Sequence, residues 1–282
     1  MRERTRNFLS RFVAIFLIAS GLLSSFRSLF SGIPWECWFT VYITVYGIIG
    51  VWAWITTRPE HLAPTLVTDS RVIEEKAILE VPAPYKMLVL ANKHARSIYG
   101  RDSIPLEKVE KWWLRNPFVE AVLYKETGEY LGYFDVLPLT AEGEKLIESG
   151  KIKEREISPE CILSPLKTKN ANTVYLSGVA VKDAGTENGK MRAAKLLYSL
   201  ACYLEYYYKT DGLRVLALAA TPVGERLLKE IGAKIVSPKD VRKDKHDLYE
   251  IVLTSELLSQ IKSRAVKRAE PPILLFKPST EY

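Results

Sequence analysis

The chain has 282 residues, 48% of them apolar and 26% charged, with a formal net charge of +7 at neutral pH. That length suits one globular domain with accessory segments. The excess of lysine and arginine is too thinly spread for a nucleic-acid reader, which packs basic residues among aromatics, so no nucleic-acid partner is expected. Cys37, Cys161 and Cys202 stand far apart, as do His61, His94 and His246. That spacing excludes a disulfide framework and predicts no metal site.

The N-terminal fifth is different in kind. Between Phe8 and Ile55 the only charges are Arg11, Arg27 and Glu36. Two apolar runs, 12–33 and 35–55, are separated by Gly32-Ile33-Pro34, and each has the ~20 residues that cross a bilayer core as a helix. Trp35, Trp38, Trp52 and Trp54 lie toward the ends of the second run, where interfacial aromatics belong. These features predict a transmembrane helical hairpin over residues 1–58, in contact with membrane lipid. A secretory signal peptide would match Arg2, Arg4, Arg6 and the small Ala19-Ser20-Gly21, but it leaves the second run as an odd stop-transfer segment. A buried hairpin of a soluble protein would need a far larger core around it. Arg2, Arg4, Arg6 and Arg11 precede the first run and Arg58 follows the second, so both termini and the soluble domain are expected in the cytoplasm. Ala19, Gly21, Gly47 and Gly50 are small enough for helix association, whether with a second copy or with a membrane protein partner.

Residues 59–84 read as a proline-marked linker, with a moderately polar helix over Ser70 to Leu79. Helices are predicted over Tyr85–Tyr99, closed by Gly100, and over Pro105–Leu114. Val119–Tyr124 and Tyr130–Leu137 read as strands of a hairpin turned at Lys125-Glu126-Thr127-Gly128. A polar helix over Thr140–Gly150 and an irregular segment over Lys151–Pro165 follow. Two strand-to-helix units come next. The first is TVYLSGVAV (Thr173–Val181), the loop DAGTENGK and a long helix to about Tyr208. The second is Leu213–Ala219 and a helix over Pro222–Ile231, closed by Gly232. Lys234–Val236 and Leu248–Leu253 are the last predicted strands, separated by a charged loop, and 255–282 reads as a basic tail. In that tail Lys262, Arg264, Lys267 and Arg268 form either a solvated helix face or a contact for anionic headgroups. A glycine-bearing loop between an apolar strand and a helix offers unpaired N–H groups to an anionic phosphate.

This α-α-β-β-(α)-β-α-β-α-β-β order resembles the GCN5-related N-acetyltransferase (GNAT) superfamily over 85–254. The resemblance is strongest in YLSGVAV, DAGTENGK, MRAAKLL and TPVGERLLKEIGA. It implies an α/β (α+β) domain with a mixed central sheet flanked by helices, and acetyl-coenzyme A (acetyl-CoA) as co-substrate. It further implies that Val179, Ala180 and Val181 serve the pantetheine arm. Gly185, Thr186, Asn188, Gly189, Lys190 and Met191 would serve the pyrophosphate, with Arg192 adding charge, and Thr221 would cap the last helix and meet the cofactor. Four positions depart from the family pattern: Thr186 and Met191 at the ends of the phosphate loop, Thr221 where an asparagine is common, and Leu228 where a proton-donating tyrosine is usual.

Candidates for catalysis are Tyr175 and Ser177 on the central strand and Asp135 on the preceding one, each also readable as an ordinary strand residue. Tyr203, Tyr206, Tyr207 and Tyr208 read as packing and helix-end surface. The expected function is membrane-anchored transfer of acetyl from acetyl-CoA to an amine. The alternative is a GNAT-like module that senses a ligand or binds a partner without catalysis.

Overall fold

The computed structural model describes residues 76–278. The predicted hairpin and most of the linker lie outside the described residues. Among the described residues no helix is long and apolar enough to cross a membrane.

Strands β1 (Ala77–Val81), β2 (Glu120–Lys125), β3 (Tyr130–Pro138), β4 (Thr173–Val181), β5 (Arg214–Leu218), β6 (Lys234–Ser237), β7 (Leu248–Val252) and β8 (Ile273–Phe276) form one sheet. Their order is β6-β7-β5-β4-β3-β2-β1-β8. The sheet is mixed: β1–β8 and β4–β5 are parallel pairs, and every other pair is antiparallel. Its helices are α1 (Tyr85–Tyr99), α2 (Leu106–Arg115), α3 (Ala141–Glu148), α4 (Glu187–Tyr207), α5 (Pro222–Glu230) and α6 (Ser255–Val266). Most bounds fall within a residue or two of those predicted.

Two segments differ from the sequence reading. Ala77–Val81 is a strand and not the end of a helix, because Ala77, Leu79 and Val81 alternate onto the core. The sheet therefore begins inside the segment read as linker. The segment read as a basic tail supplies α6 and β8. Leu258 and Ala265 of α6 are buried, and Ala265 and Ala269 pack on Ala194 of α4. Lys262 is paired with Glu205 of α4 at 2.7 Å, and Arg264, Lys267 and Arg268 are exposed.

The two faces of the sheet are covered differently. Over one lies α4, whose Leu196, Leu200, Tyr203, Leu204 and Tyr207 recur at helical spacing and join Leu79, Leu123, Phe134, Val136 and Val174. Tyr203 donates to the Phe118 carbonyl at 2.8 Å and Tyr207 to the Lys277 carbonyl at 2.7 Å, so both phenols are buried without loss of a hydrogen bond. Tyr208 is buried beside them, and Tyr206 alone of the four reaches solvent. Over the other face lie α1, α2 and the irregular segment after α3. Trp112 of α2 donates to the Ile157 carbonyl at 2.9 Å, and Asn116 donates to the Leu163 carbonyl at 2.8 Å. These bonds fasten a stretch with no regular backbone ladder of its own.

Candidate active site

The site begins where β4 and β5 part. Their parallel register runs from Thr173↔Arg214 to Leu176↔Ala217 and stops there, while β4 continues to Val181 beside β3. At the same point the β3–β4 register slips: Asp135 opposes Gly178 and Val136 opposes Leu176, leaving Ser177 as a bulged residue. A bulge bends its strand and steepens the twist, which turns the end of β4 away from β5. The backbone edge of Ser177–Val181 that faces β5 is thereby left without a strand partner among the described residues. Val179, Ala180 and Val181 all lie on it.

Helices α4 and α5 start just beyond the two diverging strand ends, and both start the same way. Thr186 Oγ1 accepts from Gly189 N–H at 3.0 Å, and Thr221 Oγ1 accepts from Gly224 N–H at 3.1 Å. The first-turn amides of Glu187 and Asn188 have no acceptor within the helix and belong to exposed residues. The 182–189 loop is held from within. Asp183 adopts a positive φ of 58°, and Arg192 binds its carboxylate at 2.8 Å and the Lys182 carbonyl at 3.3 Å.

The predicted phosphate residues sort by that geometry. Gly189 is buried, and a Cβ there would meet the Asp183 carbonyl oxygen at 2.0 Å, so its hydrogen side chain serves the fold of the loop itself. Gly185 stands in open space. Lys190 is paired with Glu187 at the surface. Met191 packs toward Ala194, Ala265 and Ala269, beneath α6, so its bulk is absorbed by the helix pair. Leu228 is half-buried on α5, and Tyr249 of β7 faces Glu225 and Lys229 of that helix.

On the α1/α2 side of the parted strands lies a set of buried acids and phenols. Glu120 of β2 and Asp135 of β3 face each other in register as a hydrogen-bonded carboxyl pair, 2% and 9% exposed. Burial raises the proton affinity of both, and the neighbouring Asp135 charge raises that of Glu120 further, so Glu120 keeps the shared proton. Asp135 Oδ2 sits over Gly178: a Cβ there would meet it at 2.9 Å and the Tyr133 hydroxyl at 3.1 Å.

Glu154 approaches from the irregular segment. The residue is half-buried with Oε1 out of reach of solvent, and burial lifts its carboxyl to about 7 against the pull of the Ser177 and Tyr175 hydroxyls. Arg242 could have neutralised it but is committed elsewhere. Its guanidinium holds Asp244 at 2.7 and 3.1 Å and the Ile147 carbonyl at 2.8 Å. Tyr99 completes the set, pushed up to about 12 by burial and by the Glu154 and Asp135 charges. Asp135 Oδ1 is buried without a hydrogen-bond partner.

The structure thus brings Tyr175, Ser177 and Asp135 to one place, beside the backbone of Val179–Val181. Glu154, Glu120, Tyr99 and Tyr133 were missed by sequence reasoning. Glu120 carries a faint signal, as an acid at an inward position of an otherwise apolar strand. Glu154 sits in the charged run KIKEREI and carries none. Among the described residues no group of three or more His, Cys, Asp or Glu side chains is placed to hold a metal ion.

The fold and site together define a mixed α/β protein whose central parallel strands part beside two helix N-termini. No family model matches the sequence, and no characterised relative matches it. Among solved structures the chain is similar to the loading GNATL domain of CurA from Lyngbya majuscula, with 14% identity, TM-score 0.45, and coverage of 62% of this chain and 97% of that one. It is also similar to Ard1 from Thermoplasma volcanium, with 10% identity, TM-score 0.42, and coverage of 64% and 99%. A third is the GNAT family N-acetyltransferase YhbS from Escherichia coli in complex with CoA, with 14% identity, TM-score 0.38, and coverage of 74% and 93%.

Proposed function

We propose that the protein is an acyl-coenzyme A-dependent N-acyltransferase of the GNAT type, with acetyl-CoA as donor and an amine as acceptor. The observation that carries this reading is the parting of β4 from β5 after Leu176 and Ala217, with the start of α4 at the open end. An unpaired strand edge suits an amide-bearing pantetheine arm, which can hydrogen-bond to it as a further strand would. The open amides of Glu187 and Asn188 suit a pyrophosphate, aided by the helix dipole. Thr221 keeps its hydroxyl proton free to donate to the cofactor, since its oxygen only accepts from Gly224.

Chemistry follows from the residues on the other side of β4. The amine nitrogen attacks the thioester carbonyl carbon; the N–C bond forms as the C–S bond breaks. Glu154 takes the proton that the amine loses. A carboxyl lifted to about 7 is well matched to that task at neutral pH. Tyr175 and Ser177 orient Glu154, with backbone N–H groups of β4 polarising the carbonyl. Leu228 cannot donate a proton, so the thiolate leaves as such and is protonated by solvent. In this reading the N-terminal hairpin anchors the domain at the cytoplasmic face of a membrane.

Calorimetry of acetyl-CoA and CoA against the full-length protein tests the donor: binding of both is expected, and its absence in folded protein would sink the reading. The acid limb of the kcat/KM profile should rise through about pH 7 as Glu154 loses its proton. Glu154→Gln should lower kcat by roughly 10²–10⁴-fold while leaving acetyl-CoA binding in place.

A further inference from the structure

The cluster around Asp135 contains more acid than proton removal requires. Glu154 suffices as the base, yet Asp135 is buried beside it with Oδ1 lacking any partner. An ionised carboxylate only accepts hydrogen bonds, so a buried oxygen without a donor is costly unless something supplies one. The groups that act on Asp135 and Glu154 are carboxyls and hydroxyls. Arg242, the cation held beneath the site, is spent on Asp244. The wall is completed by Tyr99 and Tyr133, whose phenols feel the Asp135 charge. His94, edge-on to Tyr133, is engaged by the Tyr130 hydroxyl at 3.0 Å, and burial lowers its proton affinity, so the place favours positive charge and N–H donors.

Resting on the acyl-transfer reading above, we propose that the acceptor is a small diamine, one nitrogen acylated beside Glu154 and the other held as an ammonium by Asp135. An ammonium brings three donors, which suits Asp135 Oδ1 and the neighbouring hydroxyls of Tyr133 and Ser177. Glu120 serves as the positioning residue. By keeping the shared proton it leaves the charge on Asp135 and fixes that side chain over Gly178.

The test uses the full-length protein, acetyl-CoA and three acceptors of equal length: 1,4-diaminobutane, n-butylamine and 4-aminobutanoate. The diamine should be preferred over n-butylamine by about 30-fold in kcat/KM, the worth of a charge-assisted hydrogen bond in a buried site, and 4-aminobutanoate should be poorest. Asp135→Asn should erase the preference, and Asp135→Glu should restore part of it. Equal use of the three acceptors, or an equal loss for all three in Asp135→Asn, would overturn the proposal. Acetyl-CoA binding by each variant shows that the site is folded. Calorimetry of 1,4-diaminobutane without donor separates the two readings. Diamine bound and acetyl-CoA refused would overturn acyl transfer, whereas acetyl-CoA bound and diamine ignored would overturn only the acceptor.

Discussion

The face of the sheet beneath α4 and the face beneath α1 and α2 solve the same burial problem in different ways. Under α4 the polar atoms carried into the core are given partners: the Tyr203 and Tyr207 hydroxyls end on the carbonyls of Phe118 and Lys277. The rings of Phe134, Tyr203 and Tyr207 pack with centroids 4.9–5.2 Å apart. Under α1 and α2, the buried Asp135 Oδ1 has none. A stable core leaves few such atoms, and those that remain cluster where a protein meets a ligand. One face therefore supports the fold, while the other holds the buried acids that the acyl-transfer proposal uses.

The contrast can be broken at several points, beginning where the effect is greatest. Tyr203→Ala removes a fully buried ring and its hydrogen bond, and it should lower unfolding free energy by ~3–5 kcal/mol in denaturant titrations. The midpoint should shift with no change in how stability depends on pH, since Tyr203 does not titrate in the range of interest. A shift confined to activity would contradict the assignment of that face to structure.

Next is the pH dependence of stability. Glu154 has a folded-state affinity of about 7 against an ordinary 4.5, so the native state holds a proton that the unfolded chain releases. Its contribution to stability is present below pH 4.5 and is lost as pH rises through about 7. Asp135 and Glu120 act in the same direction. Thermal melts should therefore show the midpoint falling between pH 5 and 8, and Glu154→Gln should flatten that slope in melts over the same range. A slope equally steep in the variant would remove Glu154 from the buried set.

The smallest expected effect sharpens the comparison within β4. Gly178→Ala would drive a methyl group toward Asp135 Oδ2 and the Tyr133 ring, each 2.9 Å from the added carbon. Overpacking of this sort costs ~1–3 kcal/mol. The loss should appear alongside a raised KM for the acceptor, with acetyl-CoA affinity unchanged by calorimetry, because the methyl lies on the acceptor side of the strand.

Much of this molecule could be read from local sequence. Strands such as Thr173–Val181 and helices such as Tyr85–Tyr99 declare themselves through periodicity and glycine stops, which are properties of neighbours along the chain. The strand-loop-helix unit at Thr173–Tyr207 and the cap Thr221 were legible for the same reason, whereas the capping role of Thr186 appears only in the structure. Two sheet members were not. Ala77–Val81 is too short to outweigh the polar stretch before it, and Ile273–Phe276 becomes a strand by pairing with it. The role of Gly189 was likewise hidden, because what excludes a side chain there is the Asp183 carbonyl folded back upon it.

The sequence by itself determined which stretches are strand or helix and where a phosphate-suited loop lies, since hydrophobic period and capping act over a few residues. Only the tertiary structure decided that the sheet has eight strands and that β4 parts from β5 at Leu176. It also decided that Glu120, Asp135 and Glu154 share one buried site. Desolvation and charge coupling depend on distance through space, and the distance along the chain from Glu120 to Glu154 says nothing of it.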